Sequence, residues 1–194
     1  MSTRESATDS RTYRLKVTLR GSRPPIWRRL DVDAGVTLGQ LHGILQIVMG
    51  WTDSHLHQFR RGATYYGEPD PDMGMERENE RRIRLGEVLR RPKDRMVYEY
   101  DFGDGWEHGI VLEAIGEAGG EKPPVRVLAG KGACPPEDVG GIGGYYRFLE
   151  AIQDPKHPEH EEMLEWGGDF DPDAFDIDAI NKHFQRRSRK RRNA

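Results

Sequence analysis

Met96, Tyr98, Tyr100 and Phe102 fall at alternate positions, and Trp106, His108, Ile110 and Leu112 do the same after an interruption at Gly103-Asp104-Gly105. A period of two over this length belongs to strands with one buried face. Two such strands joined by a short glycine turn make an antiparallel hairpin, and its apolar face must be covered by something else. A two-residue Asp104-Gly105 turn would set Phe102 opposite Glu107 and mix the faces. A three-residue loop, Gly103 to Gly105, pairs Phe102 with Trp106 and Tyr100 with His108, with Gly105 taking the left-handed position. This register places Asp101 opposite Glu107. Like charges facing each other across strands are destabilising, so an arginine, a bound cation or a cationic partner is expected beside them.

The rest of the chain supplies the sheet and its cover. Tyr13, Leu15, Val17 and Leu19 alternate with polar residues as a strand, and Ile26 to Val32 forms a second one after Pro24-Pro25. Thr37 and Gln40 have the spacing of a capping box ahead of an apolar helical stripe, Leu38, Leu41, Ile44, Leu45 and Val48, that ends at Gly50. His55 to Arg61 and Ala63 to Tyr66 read as short strands, residues 68–82 as a polar loop, and Leu85 to Arg91 as a short helix stopped by Pro92. Residues 116–124 read as a loop and Val125 to Leu128 as a last strand. Helices are expected over Tyr145 to Ile152, Glu159 to Trp166, and beyond an Asp176 cap with Ile177, Ile180 and Phe184 on one face. Strands first and helices last is an α+β order. We expect a disordered N-terminus over 1–11, one domain over 12–184 and a basic tail over 185–194.

No run approaches the roughly 20 apolar residues of a membrane span, and the N-terminus lacks an apolar leader core. One cysteine excludes an internal disulfide and suits the cytoplasm. The net charge of −3 conceals an asymmetry: Arg186, Arg187, Arg189, Lys190, Arg191 and Arg192 crowd the end. Setting those six aside leaves 24 basic against 33 acidic residues, so the body repels nucleic acid while the tail attracts it. The plain reading of the tail is a solvated helix end whose cations suit the helix dipole.

Two segments concentrate chemistry. One is the Asp101 to His108 stretch, with Asp101, Asp104, Trp106, Glu107 and His108. The other is Cys134 to Gly141, with Cys134, Glu137 and Asp138. We expect the turn and the loop to meet in a pocket lined by Asp104, Trp106 and Glu137. His55 and His57, two apart on a strand, would point to one face and could share a divalent metal with His108. Against that stands the plain alternative of a neutral His108 packed among Tyr100, Trp106 and Ile110. Cys134 could be activated at a helical turn, but it is more simply a small half-buried loop residue. The Gly140-Gly141-Ile142-Gly143-Gly144 run lacks the Lys-Ser/Thr of a phosphate loop and reads as flexible structural glycine. The acidic stretch Asp169 to Asp173 lacks the EF-hand pattern.

Taken in order, Ile26-Trp27-Arg28-Arg29, Ser54-His55-Leu56-His57, Tyr98 to His108, Ala133 to Gly141, Pro158 to Met163 and Trp166 to Pro172 resemble the plasmid pRiA4b Orf-three-like family over about residues 12–184. The resemblance implies an α/β roll-like fold, a curved antiparallel or mixed sheet with helices packed on it and a helical C-terminal part. It also implies an association with plasmids and mobile elements. Some relatives carry a second cysteine where Val139 stands, which weakens a two-cysteine metal site here. We expect a non-enzymatic binding module for a protein or nucleic-acid partner, with no membrane. The alternative is a metal-dependent, hydrolase-like enzyme using His55, His57 and His108 with Asp101, Glu107 or Glu137 as base.

Overall fold

Alternation dictates the first two strands, β1 (Arg11–Leu19) and β2 (Trp27–Asp33), which pair antiparallel with Tyr13 opposite Val32 and Leu15 opposite Leu30. Those four side chains are wholly buried. The other face of the pair is a ladder of charge: Arg14 bonds Asp31 through two nitrogens at 2.9 and 3.1 Å, and Arg29 bonds Glu113 at 2.6 and 2.9 Å. The computed structural model describes residues 11–69, 76–117 and 125–192, of which 188–192 as backbone alone. The expected disordered N-terminus lies outside the described residues except for Arg11, which pairs with Glu117 at the start of β1.

Six further strands complete one sheet: β3 (His57–Arg61), β4 (Thr64–Gly67), β5 (Glu78–Asn79), β6 (Arg95–Tyr100), β7 (Trp106–Glu117) and β8 (Val125–Lys131). Their order is β5-β4-β3-β6-β7-β1-β2-β8, antiparallel except for the parallel β4–β5 contact. With five helices, α1 (Leu38–Met49), α2 (Leu85–Val88), α3 (Gly141–Gln153), α4 (His160–Gly167) and α5 (Ile177–Arg192), the class is α+β.

The cover forms where the sequence says it should. Thr37 accepts from the Gln40 amide at 3.2 Å while Gln40 Oε1 accepts from the Thr37 amide at 2.9 Å, and Gly50 ends α1 in the left-handed region at φ 98°. Leu38, Leu41, Leu45 and Val48 join the strand side chains in one core cluster, each worth roughly 1.5–3 kcal/mol on full burial. At the far end Asp176 Oδ1 caps α5 by accepting from the Ala179 amide at 2.9 Å. Asn181 then bonds both the amide and the carbonyl of Val127, each at 2.9 Å. Those two hydrogen bonds satisfy the backbone of Val127 on the edge strand β8, where unpaired groups would otherwise invite another strand.

Three expectations need correction. The β6–β7 register pairs Tyr100 with Trp106 and Tyr98 with His108, and it is Glu99, not Asp101, that faces Glu107. The link is longer than three residues because Asp101 leaves the strand at φ 57°. Its Oδ1 accepts from the amides of Gly103 and Asp104, and its carbonyl accepts from Gly105. Gly105 is left-handed as expected, at φ 66°. Second, β3 begins at His57, so His55 precedes the strand and the two histidines do not share a strand face. Third, the polar 68–82 stretch is not loop throughout: Glu78–Asn79 form β5, and Glu80 is buried at 3% exposure. Residues 70–75 lie outside the described residues.

The glycine run is not slack either. It forms the first turn of α3 because its backbone is pressed on both sides. A Cβ on Gly141, itself at φ 67°, would stand 2.5 Å from the Asp104 carbonyl oxygen, and one on Gly144 would overlap the carbonyl oxygen of Val139.

Candidate functional site

Helix α1 carries two polar residues on its buried side, His42 and Gln46, four apart and therefore stacked one turn above the other. Tyr98, whose side chain β6 points at the same place, organises them. Its hydroxyl accepts from Gln46 Nε2 at 2.9 Å and lies 2.9 Å from His42 Nδ1. Having accepted from the amide, the hydroxyl has its own proton to give, so Nδ1 accepts and the imidazole proton sits on Nε2. Nε2 then donates to Asp53 Oδ1 at 2.7 Å, and the Asp53 amide returns to Gln46 Oε1 at 2.9 Å. The loop of bonds closes on itself.

His57 lies flat against this network. Its ring is parallel to that of His42 within 1°, with centroids 3.4 Å apart. Its Nε2 donates to the buried Glu80 carboxylate at 2.9 Å, which leaves Nδ1 with a free lone pair. Burial first, and the neighbouring His57 second, push His42 below the usual imidazole range, which favours the neutral, metal-binding form. One donor atom from each of His42, Asp53 and His57 falls within 4.8 Å of the others. The three line a cleft of about 610 Å³ whose wall also includes His55, Arg77, Glu80 and Arg81.

A second group stands where the 101–105 turn meets the 137–140 loop. His55 Nε2 lies 3.7 Å from Asp101 Oδ2 and 3.3 Å from Asp138 Oδ1. Glu137 holds the loop in place: it accepts from Thr52 Oγ1 and from the Tyr100 hydroxyl, each at 2.5 Å. Although burial pushes the Glu137 carboxyl up, those two hydroxyls and the Thr52 amide outweigh it and hold the group below the usual carboxylate range. Asp104 Oδ2 accepts from the Gly140 amide at 3.1 Å.

The remaining sequence candidates are placed differently. His108 is fully buried against Trp51 and Tyr98, and burial lowers it to about 4. It is a neutral core residue and cannot reach His55 or His57 as a shared ligand set. Trp106, Tyr98 and Tyr100 are wholly buried and present no surface to a partner, while Phe102 at the turn is half-buried beneath Arg77. Glu107 is neutralised by Arg20 at 2.7 Å and Arg60 at 3.6 Å. Burial drives the Cys134 thiol far up, the opposite of an activated nucleophile. Arg186 and Arg187 are exposed on α5, while the side chains of Arg189, Lys190, Arg191 and Arg192 lie outside the described residues.

Sequence reading missed His42, Asp53 and Glu80. A signal for the first existed: His42 and Gln46 interrupt the apolar stripe of α1 at buried positions, where a polar pair requires partners. Asp53 and Glu80 had none, because their pairing with histidines 11 and 23 positions away is set by the fold.

The comparisons agree on kinship. The family model described as plasmid pRiA4b ORF-3-like protein matches residues 11–179. A relative described as uncharacterized protein y4hQ, from Sinorhizobium fredii (strain NBRC 101917 / NGR234), is 44% identical over 172 residues, 87% of this chain and 88% of that protein. The crystal structure of a protein of unknown function, MM3350 from Methanosarcina mazei Go1, is similar with a TM-score of 0.78 and 35% identity, over 86% of this chain and 96% of that one. The chain belongs to the plasmid pRiA4b ORF-3-like family.

Proposed function

We propose that this member of the family is a metal-dependent, hydrolase-like enzyme whose divalent ion sits on His42, Asp53 and His57. The observation that carries the reading is the convergence of two imidazoles and one carboxylate within 4.8 Å at the wall of a cleft, with the second nitrogen of each ring already held, by Tyr98 and by Glu80. Metal-binding histidines are characteristically oriented in this way through the nitrogen that does not bind the ion. Three protein ligands leave a position open to the cleft, the arrangement of catalytic rather than structural zinc sites. An ion there would supply a water of lowered pKa and polarise a substrate oxygen.

The chain's own residues do the rest. Were His42 to hold an ion at Nε2, its proton would sit on Nδ1 and be donated to the Tyr98 oxygen, whose own hydroxyl proton would have to turn away from the ring. Glu80 fixes the His57 tautomer. Arg77 lines the same cleft with an Nε that has no hydrogen-bond partner among the described residues, and it suits an anionic group on the substrate.

The test is metal content of chelator-free protein together with hydrolysis of p-nitrophenyl phosphate and p-nitrophenyl acetate. The reading expects at least one equivalent of zinc, manganese or iron, of which one equivalent is lost in His57→Ala, with metal-dependent turnover of at least one ester that His57→Ala abolishes. Folded protein that holds no metal, and whose rate is the same with and without added ions, would overturn it.

A further inference from the structure

Asp101 is 7% exposed, yet no arginine or lysine pairs with it or with Asp138 among the described residues. Both side chains instead face a single imidazole nitrogen, His55 Nε2, which is itself out of contact with solvent and makes no hydrogen bond. At 3.3 and 3.7 Å, with poor alignment, these are not hydrogen bonds. Two donors each about 2.1 Å from one ion stand roughly 3.0–3.5 Å apart at octahedral or tetrahedral angles. The His55–Asp138 separation falls within that range, the His55–Asp101 separation lies just beyond it, and all three atoms fall within 4.8 Å of one another, so a small adjustment of Asp101 would bring them around one ion.

The backbone supports the same conclusion. Asp101 and Asp138 both occupy the left-handed region, at φ 57° and φ 61°, a conformation that costs a non-glycine residue free energy and persists where the surroundings impose it. Asp101 Oδ1 is used up by the Gly103 and Asp104 amides, which turns Oδ2 toward His55. Asp138 is held beside it because Glu137 is bound to Thr52 and Tyr100, and because Gly140 is bound to Asp104.

We propose that His55, Asp101 and Asp138 form a second divalent transition-metal site, distinct from the His42 centre, that ties the 51–56 segment, the 101–105 turn and the 137–140 loop together. One imidazole with two carboxylates favours zinc, manganese or iron over calcium or magnesium, because nitrogen is a poor ligand for the hard ions. The site does not depend on the hydrolase reading. The exposed Asp138 leaves one side of the ion open to solvent or to a further ligand.

Zinc titration of metal-stripped full-length chain by calorimetry tests it, with wild type, His55→Ala, Asp138→Asn and His42→Ala compared. Two equivalents are expected. His55→Ala should abolish one and Asp138→Asn should weaken that same one tenfold or more, while His42→Ala removes only the other. Asp138 is exposed, so its variant is expected to fold even if His55→Ala does not. If wild type binds one equivalent that His42→Ala abolishes and Asp138→Asn leaves unchanged, the second site is overturned while the hydrolase centre stands. One equivalent lost only in Asp138→Asn and His55→Ala supports the second site and removes the first. Absence of any zinc binding overturns both.

Discussion

The imidazoles of His42 and His57 lie parallel with centroids 3.4 Å apart, and each ring is bonded to a different carboxylate, Asp53 or Glu80. Burial and the neighbouring His57 together push His42 below the usual imidazole range. An imidazole lone pair lies in the plane of its ring, so an ion held by both histidines and Asp53 would require the two parallel rings to turn out of this stack.

Tyr98→Phe removes the oxygen that His42 Nδ1 and Gln46 Nε2 both use. Metal affinity measured by calorimetry is expected to fall about 10- to 100-fold, the usual cost of losing a group that orients a metal-binding histidine. Stability should drop by about 1–3 kcal/mol because a buried amide loses its partner.

His108 contributes to acid sensitivity alongside the depressed carboxylates of Asp94, Glu113 and Glu137. Its folded-state pKa of about 4 lies below the ordinary 6.5, because burial disfavours the cation. A depressed imidazole means that the unfolded chain binds the proton first. Stability is therefore full above pH 6.5 and is lost as pH falls toward 4, by on the order of 3 kcal/mol. Urea titrations at stepped pH should show this loss in wild type and a shallower one in His108→Leu. His42, also depressed, contributes in the same direction in both proteins.

Helical glycines separate by contact. A Cβ on Gly43, inside α1, meets nothing within 4 Å, whereas one on Gly144 runs into the Val139 carbonyl. Gly43→Ala should stabilise by up to about 1 kcal/mol, raising Tm by about 2–4 °C for a chain of this size. Gly144→Ala should destabilise by about 2 kcal/mol or more.

Glu99 and Glu107 face each other across β6 and β7, and Gln58 and Arg20 take one each, at 2.6 and 2.7 Å. Arg20→Ala exposes Glu107 to that repulsion. Because the pair is partly solvated, the cost should be only about 0.5 kcal/mol at low salt and should shrink toward zero near 1 M salt.

Much of this fold is written in local pattern. The alternation of β1 and β7, the Thr37–Gln40 box and the Asp176 cap each depend on residues within a few positions of one another, and each forms as its spacing requires. The hairpin register does not, because it turns on Asp101 leaving the strand to serve two amides and face His55. The site lies further from legibility still. The sequence drew attention to His55, His57 and Asp138, but grouping them correctly depends on β3 starting at His57 and on Glu80 being carried under the sheet edge by β5. The expected pocket lining of Asp104, Trp106 and Glu137 also fails at Trp106, which the covered face of the hairpin buries completely.

The central claim is the ion on His42, Asp53 and His57, and anomalous diffraction from crystals of the zinc-loaded protein tests it most directly. The account predicts an anomalous peak about 2.0–2.2 Å from a nitrogen of each histidine and from an Asp53 oxygen, with Glu80 still on His57 Nε2 and the direct His42–Asp53 hydrogen bond gone. Zinc-loaded crystals with no peak at these three residues, and the 2.7 Å His42–Asp53 bond intact, would contradict it.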